Sequence, residues 1–85
     1  MLLSIIIPVY NEQENLTKNL PLLCKQASNY PTEIIVANSP ETTDNSCSIC
    51  NNYPKVTVLN SNKKGRAQQM NFGAKQATGD VFLFL

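Results

Sequence analysis

Apolar residues along this chain switch between two patterns, and the switches lay out its elements. Residues 3–9 hold the unbroken β-branched run Ile5-Ile6-Ile7, which suits a strand covered on both faces. Pro8 has no N–H for a ladder, so that strand is expected to fail there. Residues 12–28 place Leu16, Leu20, Leu23 and Ala27 four, three and four apart, the single stripe of an amphipathic helix. Asn11, with Glu14 three positions on, has the spacing of a helix cap and its reciprocal partner. Pro21 inside the stripe is expected to kink or divide the helix.

Asn29-Tyr30-Pro31 reads as a turn, and Glu33-Ile34-Ile35-Val36-Ala37 as a second buried strand. Asn38 to Ser46 is a polar loop, followed by a short helix from about Asp44 to Asn52. Lys55-Val56-Thr57-Val58-Leu59 alternates, as an edge strand with one wetter face does. After a loop to Gly65, residues 66–77 form a helix with Ala67, Met70, Ala74 and Ala77 on one face, and Gly73 beside that face permits close packing on the sheet. Asp80 to Leu85 is the fourth strand.

Strands alternating with helices imply α/β architecture, a parallel sheet with right-handed crossovers and helices on both faces. The expected strand order is 3-2-1-4, with the switch between strands one and four. Residues 8–12, residues 38–46 and the start of the last helix then share one rim, where such sheets build ligand sites.

Composition narrows this picture. The 85 residues allow one small domain, and 42% hydrophobic content argues against disorder. The formal charge of +1 gives no whole-chain reason to expect a nucleic-acid partner. No apolar run approaches the roughly 20 residues of a membrane span. The first residues lack the basic start of a secretory signal, so a cytoplasmic location is expected. The three cysteines, Cys24, Cys47 and Cys50, fit reduced thiols. Cys47 and Cys50 have the Cys-x-x-Cys spacing, but a polar loop separates them from the preceding strand. The chain has no histidine to complete a zinc site, so small buried hydrophobes are the better account.

Candidate chemistry gathers at the rim. Lys63, Lys64 and Arg66 flank Gly65 at a helix start, where the dipole disfavours cations; a diphosphate held by the free N–H groups and these charges would explain them. A solvated loop is the plainer alternative. Asn38 ends the second strand and offers a carboxamide that can meet a base edge, or simply make a turn. No general base or nucleophile stands out, and this line of reasoning stops at a rim for a nucleoside diphosphate.

Ser4-Ile5-Ile6-Ile7-Pro8-Val9-Tyr10-Asn11-Glu12 resembles the opening of family 2 glycosyltransferases, which have the Rossmann-like GT-A fold. Gly65-Arg66-Ala67-Gln68-Gln69-Met70-Asn71-Phe72-Gly73-Ala74, then Ala77 to Leu85, resembles a bacterial subgroup of that family. The resemblance implies transfer of a sugar from a nucleoside diphosphate sugar to an acceptor. It assigns the base and ribose to Pro8, Tyr10, Glu12 and Asn38, and base and phosphate to Arg66, with Lys64 and Gly65 beside it. Asn71 matches a family asparagine in that helix and is expected among the nucleotide-sugar-binding residues.

The chain departs from the family pattern in two places. Asn38 stands where the family has Asp, and Ser39 to Asn45 replaces a Gly-Ser-Thr-Asp-Gly type loop, so charge assistance at the base is lost. The family's Asp-x-Asp motif, which holds Mg or Mn on the diphosphate, follows the strand that here reaches Leu85. Residues 1–85 are therefore expected to be the N-terminal, nucleotide-sugar-binding part of a GT-A domain. They are expected to hold no metal and no catalytic residue, and to transfer no sugar alone. Residues 81–85 would leave an apolar edge open to self-association. The alternatives are a non-catalytic nucleotide-binding or interaction module and an unrelated α/β nucleotide or redox domain.

Overall fold

A computed structural model describes residues 1–85. In order, the elements are β1 (Leu3–Val9), α1 (Gln13–Ala27), β2 (Thr32–Asn38), α2 (Ser46–Cys50), β3 (Val56–Asn60), α3 (Arg66–Gln76) and β4 (Val81–Phe84). The strands form one sheet of order β3-β2-β1-β4 in which every pairing is parallel. In register, Ile5 lies between Ile34 of β2 and Leu83 of β4. The two β-branched runs thus occupy the middle of the sheet, where both faces are covered.

On one face, α1 and α2 close over Val9, Val36, Leu16, Leu20 and Cys50, with Ile5, Ile34 and Ala27 packed alongside. On the other face α3 approaches so closely that a Cβ on Gly73 would stand 2.7 Å from Ile6 Cγ2. Gly73 and Gln69 are the buried residues of α3, while Met70, Ala74 and Ala77 are half-buried and Ala67 is exposed. The sheet-facing line is therefore turned from the Ala67–Met70–Ala74 stripe towards Gln69 and Gly73.

Pro8 does not end β1. Leu3 N–H donates to Pro31 on the β2 side, whereas Ile6 O accepts from Leu85 N–H on the β4 side, so even-numbered residues face β4. The N–H missing from Pro8 therefore costs nothing against β2, and β1 keeps its pairing with β2 through Val9. The main-chain oxygen of Leu85 that this N–H would have served accepts instead from Arg66 Nη2 at 3.0 Å. Pro21 likewise leaves α1 a single helix of 15 residues.

At the amino end of the sheet, the turn into β4 is pinned to β1 and β2. Glu33 Oε2 accepts from the Ser4 hydroxyl and from Thr78 N–H at 2.6 Å, and Ser4 Oγ accepts from Gly79 N–H at 2.9 Å. Burial pushes the Glu33 carboxyl up, but these bonds together hold it below its ordinary value of 4.5. This clasp ties the turn that leads into β4 to both β1 and β2.

Candidate functional site

The carboxyl edge carries two helix starts, α1 and α3, which the chain treats differently. After Val9 the chain turns through Tyr10 and Asn11, and Asn11 adopts φ 49°. Left-handed backbone is tolerated by Asn better than by most residues. Asn11 is not the cap of α1: its Oδ1 accepts from Thr43 N–H at 2.8 Å and Asp44 N–H at 3.2 Å, tying the loop after β2 to the turn after β1. Glu12 occupies the cap position without a side-chain capping bond.

The cap amide and the first helical amide of α1 are satisfied from a distance, while those of Glu14 and Asn15 have no partner within the chain. Glu12 N–H donates to Ser46 Oγ at 2.9 Å and Gln13 N–H to Asp44 Oδ2 at 3.1 Å. Asp44 Oδ1 accepts from Ser46 N–H at 2.9 Å and from the Ser46 hydroxyl. The Ser46 hydroxyl bond is the largest influence on the Asp44 carboxyl and, against partial desolvation, helps hold it below its ordinary value of 3.8. Asp44 thus sits two residues ahead of Ser46, the first residue of α2, a helix of five residues.

At α3 the cap is Gly65, with φ 112° and no side chain to offer. Its carbonyl accepts from Gln69 N–H at 2.9 Å. The amides of Arg66, Ala67 and Gln68 have no partner within the chain. Three free N–H groups at the positive end of a helix dipole make a standing anion site.

A cleft of about 510 Å³ opens over this start, lined by Pro8, Tyr10, Glu12, Ser39, Glu41, Lys64, Gly65, Arg66 and Gln69. It brings together Pro8, Tyr10, Glu12, Lys64, Gly65 and Arg66, six of the residues that the sequence singles out. Tyr10 is 55% exposed and presents an aromatic face. Lys64 Nζ lies 3.8 Å from Glu41 across the opening, an exposed pair that adds little stability. Arg66 spans from the cleft to the end of β4, which fixes its guanidinium. The carboxylates of the cleft are Glu12, which accepts from Asn15 Nδ2 at 2.6 Å, and Glu41. Phosphate oxygens suit the amides and cations here, and a flat ring suits Tyr10 and Pro8.

Asn38 ends β2 directly beneath this rim, next to the lining residue Ser39. It is 7% exposed, its Nδ2 donates to Asn60 Oδ1 at 3.2 Å, and its Oδ1 is buried without a partner. Asn71 is not brought to the cleft. It stands about 200° round α3 from Gln69 and lines a separate depression with Lys63 and Lys75.

Gln69 is the cleft residue that sequence reasoning passes over. It is 3% exposed, and its Nε2 donates to Val9 O at 2.9 Å and Ala37 O at 2.8 Å, bridging the ends of β1 and β2. The signal was its position four residues before Gly73, the residue already read as lying against the sheet. The cysteines lie elsewhere: Cys50 is fully buried in the α1–α2 core, where burial first, then Cys47 and Cys24, pushes its thiol up to about 11. Burial raises Cys47 and Cys24 as well. Reactive redox thiols are shifted the opposite way. Nowhere do three His, Cys, Asp or Glu side chains converge as ligands for a metal ion.

A parallel α/β half-sheet of this order, with a helix-start cleft at its carboxyl edge, defines a Rossmann-like α/β class. Comparison with known proteins narrows the class to one family. The profile of glycosyl transferase family 2 matches residues 4–85, and the chain belongs to that family. Relatives include a dolichol-phosphate mannosyltransferase of Pyrococcus furiosus, 32% identical over 88 residues, covering all of this chain and 25% of that protein. The poly(ribitol-phosphate) beta-N-acetylglucosaminyltransferase TarS of Staphylococcus aureus is 32% identical over 93 residues, covering all of this chain and 16% of TarS.

Among solved structures, S. aureus TarS 1–349 superposes with a TM-score of 0.87 at 29% identity, over 100% of this chain and 27% of that one. The mannosyltransferase PcManGT of Pyrobaculum calidifontis, in complex with GDP-Man and Mn2+, gives 0.79 at 26% identity, over 94% of this chain and 25% of that one. The chain thus spans a quarter or less of the curated relatives it matches. The fold is the GT-A-like α/β segment expected from the sequence, and membership of the family removes the unrelated redox domain as an alternative.

Proposed function

We propose that residues 1–85 are the N-terminal donor-binding part of a glycosyltransferase domain that uses a nucleoside diphosphate sugar. The observation that carries this reading is the unsealed start of α3 beneath Lys64 and Arg66, in a chain of this family. On this reading the α3 amides and Arg66 hold the diphosphate, with Lys64 and Gly65 beside them. Pro8, Tyr10, Glu12 and Asn38 meet the base and ribose, and Asn71 supports α3 from outside the cleft. PcManGT, solved with GDP-Man and Mn2+, supports a donor and a divalent cation of this kind.

The residues described do not fit Mg or Mn. Glu12 is bonded to Asn15, Glu41 is paired with Lys64, and no third ligand converges on them. A cation bridging the diphosphate would take its ligands from other residues, and we propose that sugar transfer needs them too. Turnover of a sugar nucleotide by residues 1–85 alone would contradict this.

The reading includes two further points. No helix is long and apolar enough to cross a membrane, and we place the protein in the cytoplasm. Val81 to Leu85 are all exposed along the free side of β4, and we propose self-association there; a monodisperse monomer by light scattering at high concentration would contradict it.

The donor reading is tested by calorimetric titration of the chain with UDP-GlcNAc, GDP-mannose and flavin mononucleotide. Saturable binding of a sugar nucleotide in preference to flavin is expected. Failure of both sugar nucleotides to bind would overturn the reading.

A further inference from the structure

Gln69 carries a polarity that the donor reading does not use. Its two Nε2 hydrogens are both committed, one to Val9 O and one to Ala37 O. A flipped carboxamide would set its oxygen against those two carbonyl oxygens, so the orientation is fixed by chemistry. Oε1 therefore points away from the strand ends. No group of the chain donates to it, it is absent from the buried unpartnered atoms, and its residue lines the cleft. The oxygen is an acceptor that no group of the chain fills, held in place on a residue that lines the cleft.

Asn38 holds another unmet acceptor, on the opposite face of the sheet: Ile35 and Ala37 of β2 meet Gly73 of α3, whereas Asn38 shares the α1–α2 side with Val36. Asn38 commits its Nδ2 to Asn60 Oδ1 and leaves Oδ1 buried without a partner. Asn38 follows Ala37, whose carbonyl Gln69 grips, so both amides belong to the same strand end. Gln69 Oε1 is thus the unmet side-chain acceptor on the α3 side of the cleft, and an acceptor left without a donor costs free energy once water is displaced.

We propose that Gln69 is a specificity residue whose Oε1 accepts a ring N–H of the nucleobase, selecting lactam or imide bases over those with a bare ring nitrogen. Uracil carries such an N–H at N3 and guanine at N1. Cytosine N3 and adenine N1 are lone pairs and would face the oxygen repulsively. Binding no base-specific donor, the α3 amides and Arg66 would hold all four diphosphates alike. The proposal rests on the donor reading and adds to it which bases are admitted and by which atom.

The test is titration of the whole chain with UDP, GDP, CDP and ADP, and with 3-methyl-UDP and 1-methyl-GDP, in which the ring N–H is replaced. UDP or GDP is expected to bind at least about tenfold more tightly than CDP, ADP and its own methylated form, one hydrogen bond's worth of discrimination. The UDP and GDP arms tell the two bases apart. In Gln69→Met, with its fold confirmed by circular dichroism and melting, the methylation penalty should fall below about threefold while the diphosphate still binds. A purely structural clamp between β1 and β2 would leave that penalty intact.

A methylation penalty below about threefold in the unaltered chain, or the full penalty persisting in folded Gln69→Met, overturns the proposal. Should Gln69→Met fail to fold, Asn38→Ala decides: a retained penalty supports Gln69 as the reader, and an abolished one overturns it. Binding of all four diphosphates without discrimination overturns this proposal and leaves the donor reading standing. Binding of none of them overturns both.

Discussion

The starts of α1 and α3 emerge at one sheet edge and are treated differently by the chain. At α1 the cap amide and the first helical amide are taken by Ser46 and Asp44, brought from more than 30 residues away, and only the amides of Glu14 and Asn15 stay open. At α3 a glycine cap leaves the amides of Arg66, Ala67 and Gln68 open. The same dipole thus stabilises the fold in one place and is held ready for an anion in the other. A strand running into a helix start is therefore not yet a ligand site; what matters is whether the chain has already supplied the anion.

This contrast is broken most forcefully at Arg66. Arg66→Ala is expected to weaken nucleoside diphosphate binding roughly 10- to 100-fold, the worth of a charge-assisted hydrogen bond or two, as read by calorimetry. The melting temperature should hardly move, because the side chain is exposed and its partner is the main chain of Leu85.

Gly65→Ala probes the open helix start through the backbone. Nothing lies within 4 Å of the added Cβ, so the cost comes from φ 112° alone. Strain of about 1–2 kcal/mol is expected in chemical denaturation. Relaxation of the cap towards negative φ should also turn the amides away and lower diphosphate affinity.

Asp44→Ala probes the sealed start and has the smallest expected effect on binding. It should lower the melting temperature while leaving diphosphate affinity within about twofold. Acid should do the same work more gradually. Because the native carboxyl titrates below its ordinary 3.8, its support is complete above that pH and is lost as pH falls through the depressed native value. The α3 start has no titrating anion at its cap, so its amide signals should not follow that transition.

The strands, their order and the rim were legible because β-branched runs and helical spacing are local signals. The seal on α1 was not. The pair Asn11 and Glu14 has capping spacing, yet the left-handed turn at Asn11 shifts the cap to Glu12, and the acceptors that matter come from Asp44 and Ser46. Pro8 was read as the end of a strand and Pro21 as a kink or a division of its helix because sequence does not show which side of a strand lacks a neighbour, nor how firmly a core holds a helix in one piece. Gln69 was passed over because a glutamine in a helix ordinarily faces water. Its burial depends on two main-chain carbonyls that meet where β1 and β2 end.

The most direct test of the central claim is a titration of isotopically labelled chain with UDP and GDP, following backbone amide shifts. Saturable movement of the Arg66, Ala67 and Gln68 amides, with Gln13 and Glu14 still, is the predicted result. Movement confined to residues 13–15, or none at the start of α3 at saturating nucleotide, would contradict it.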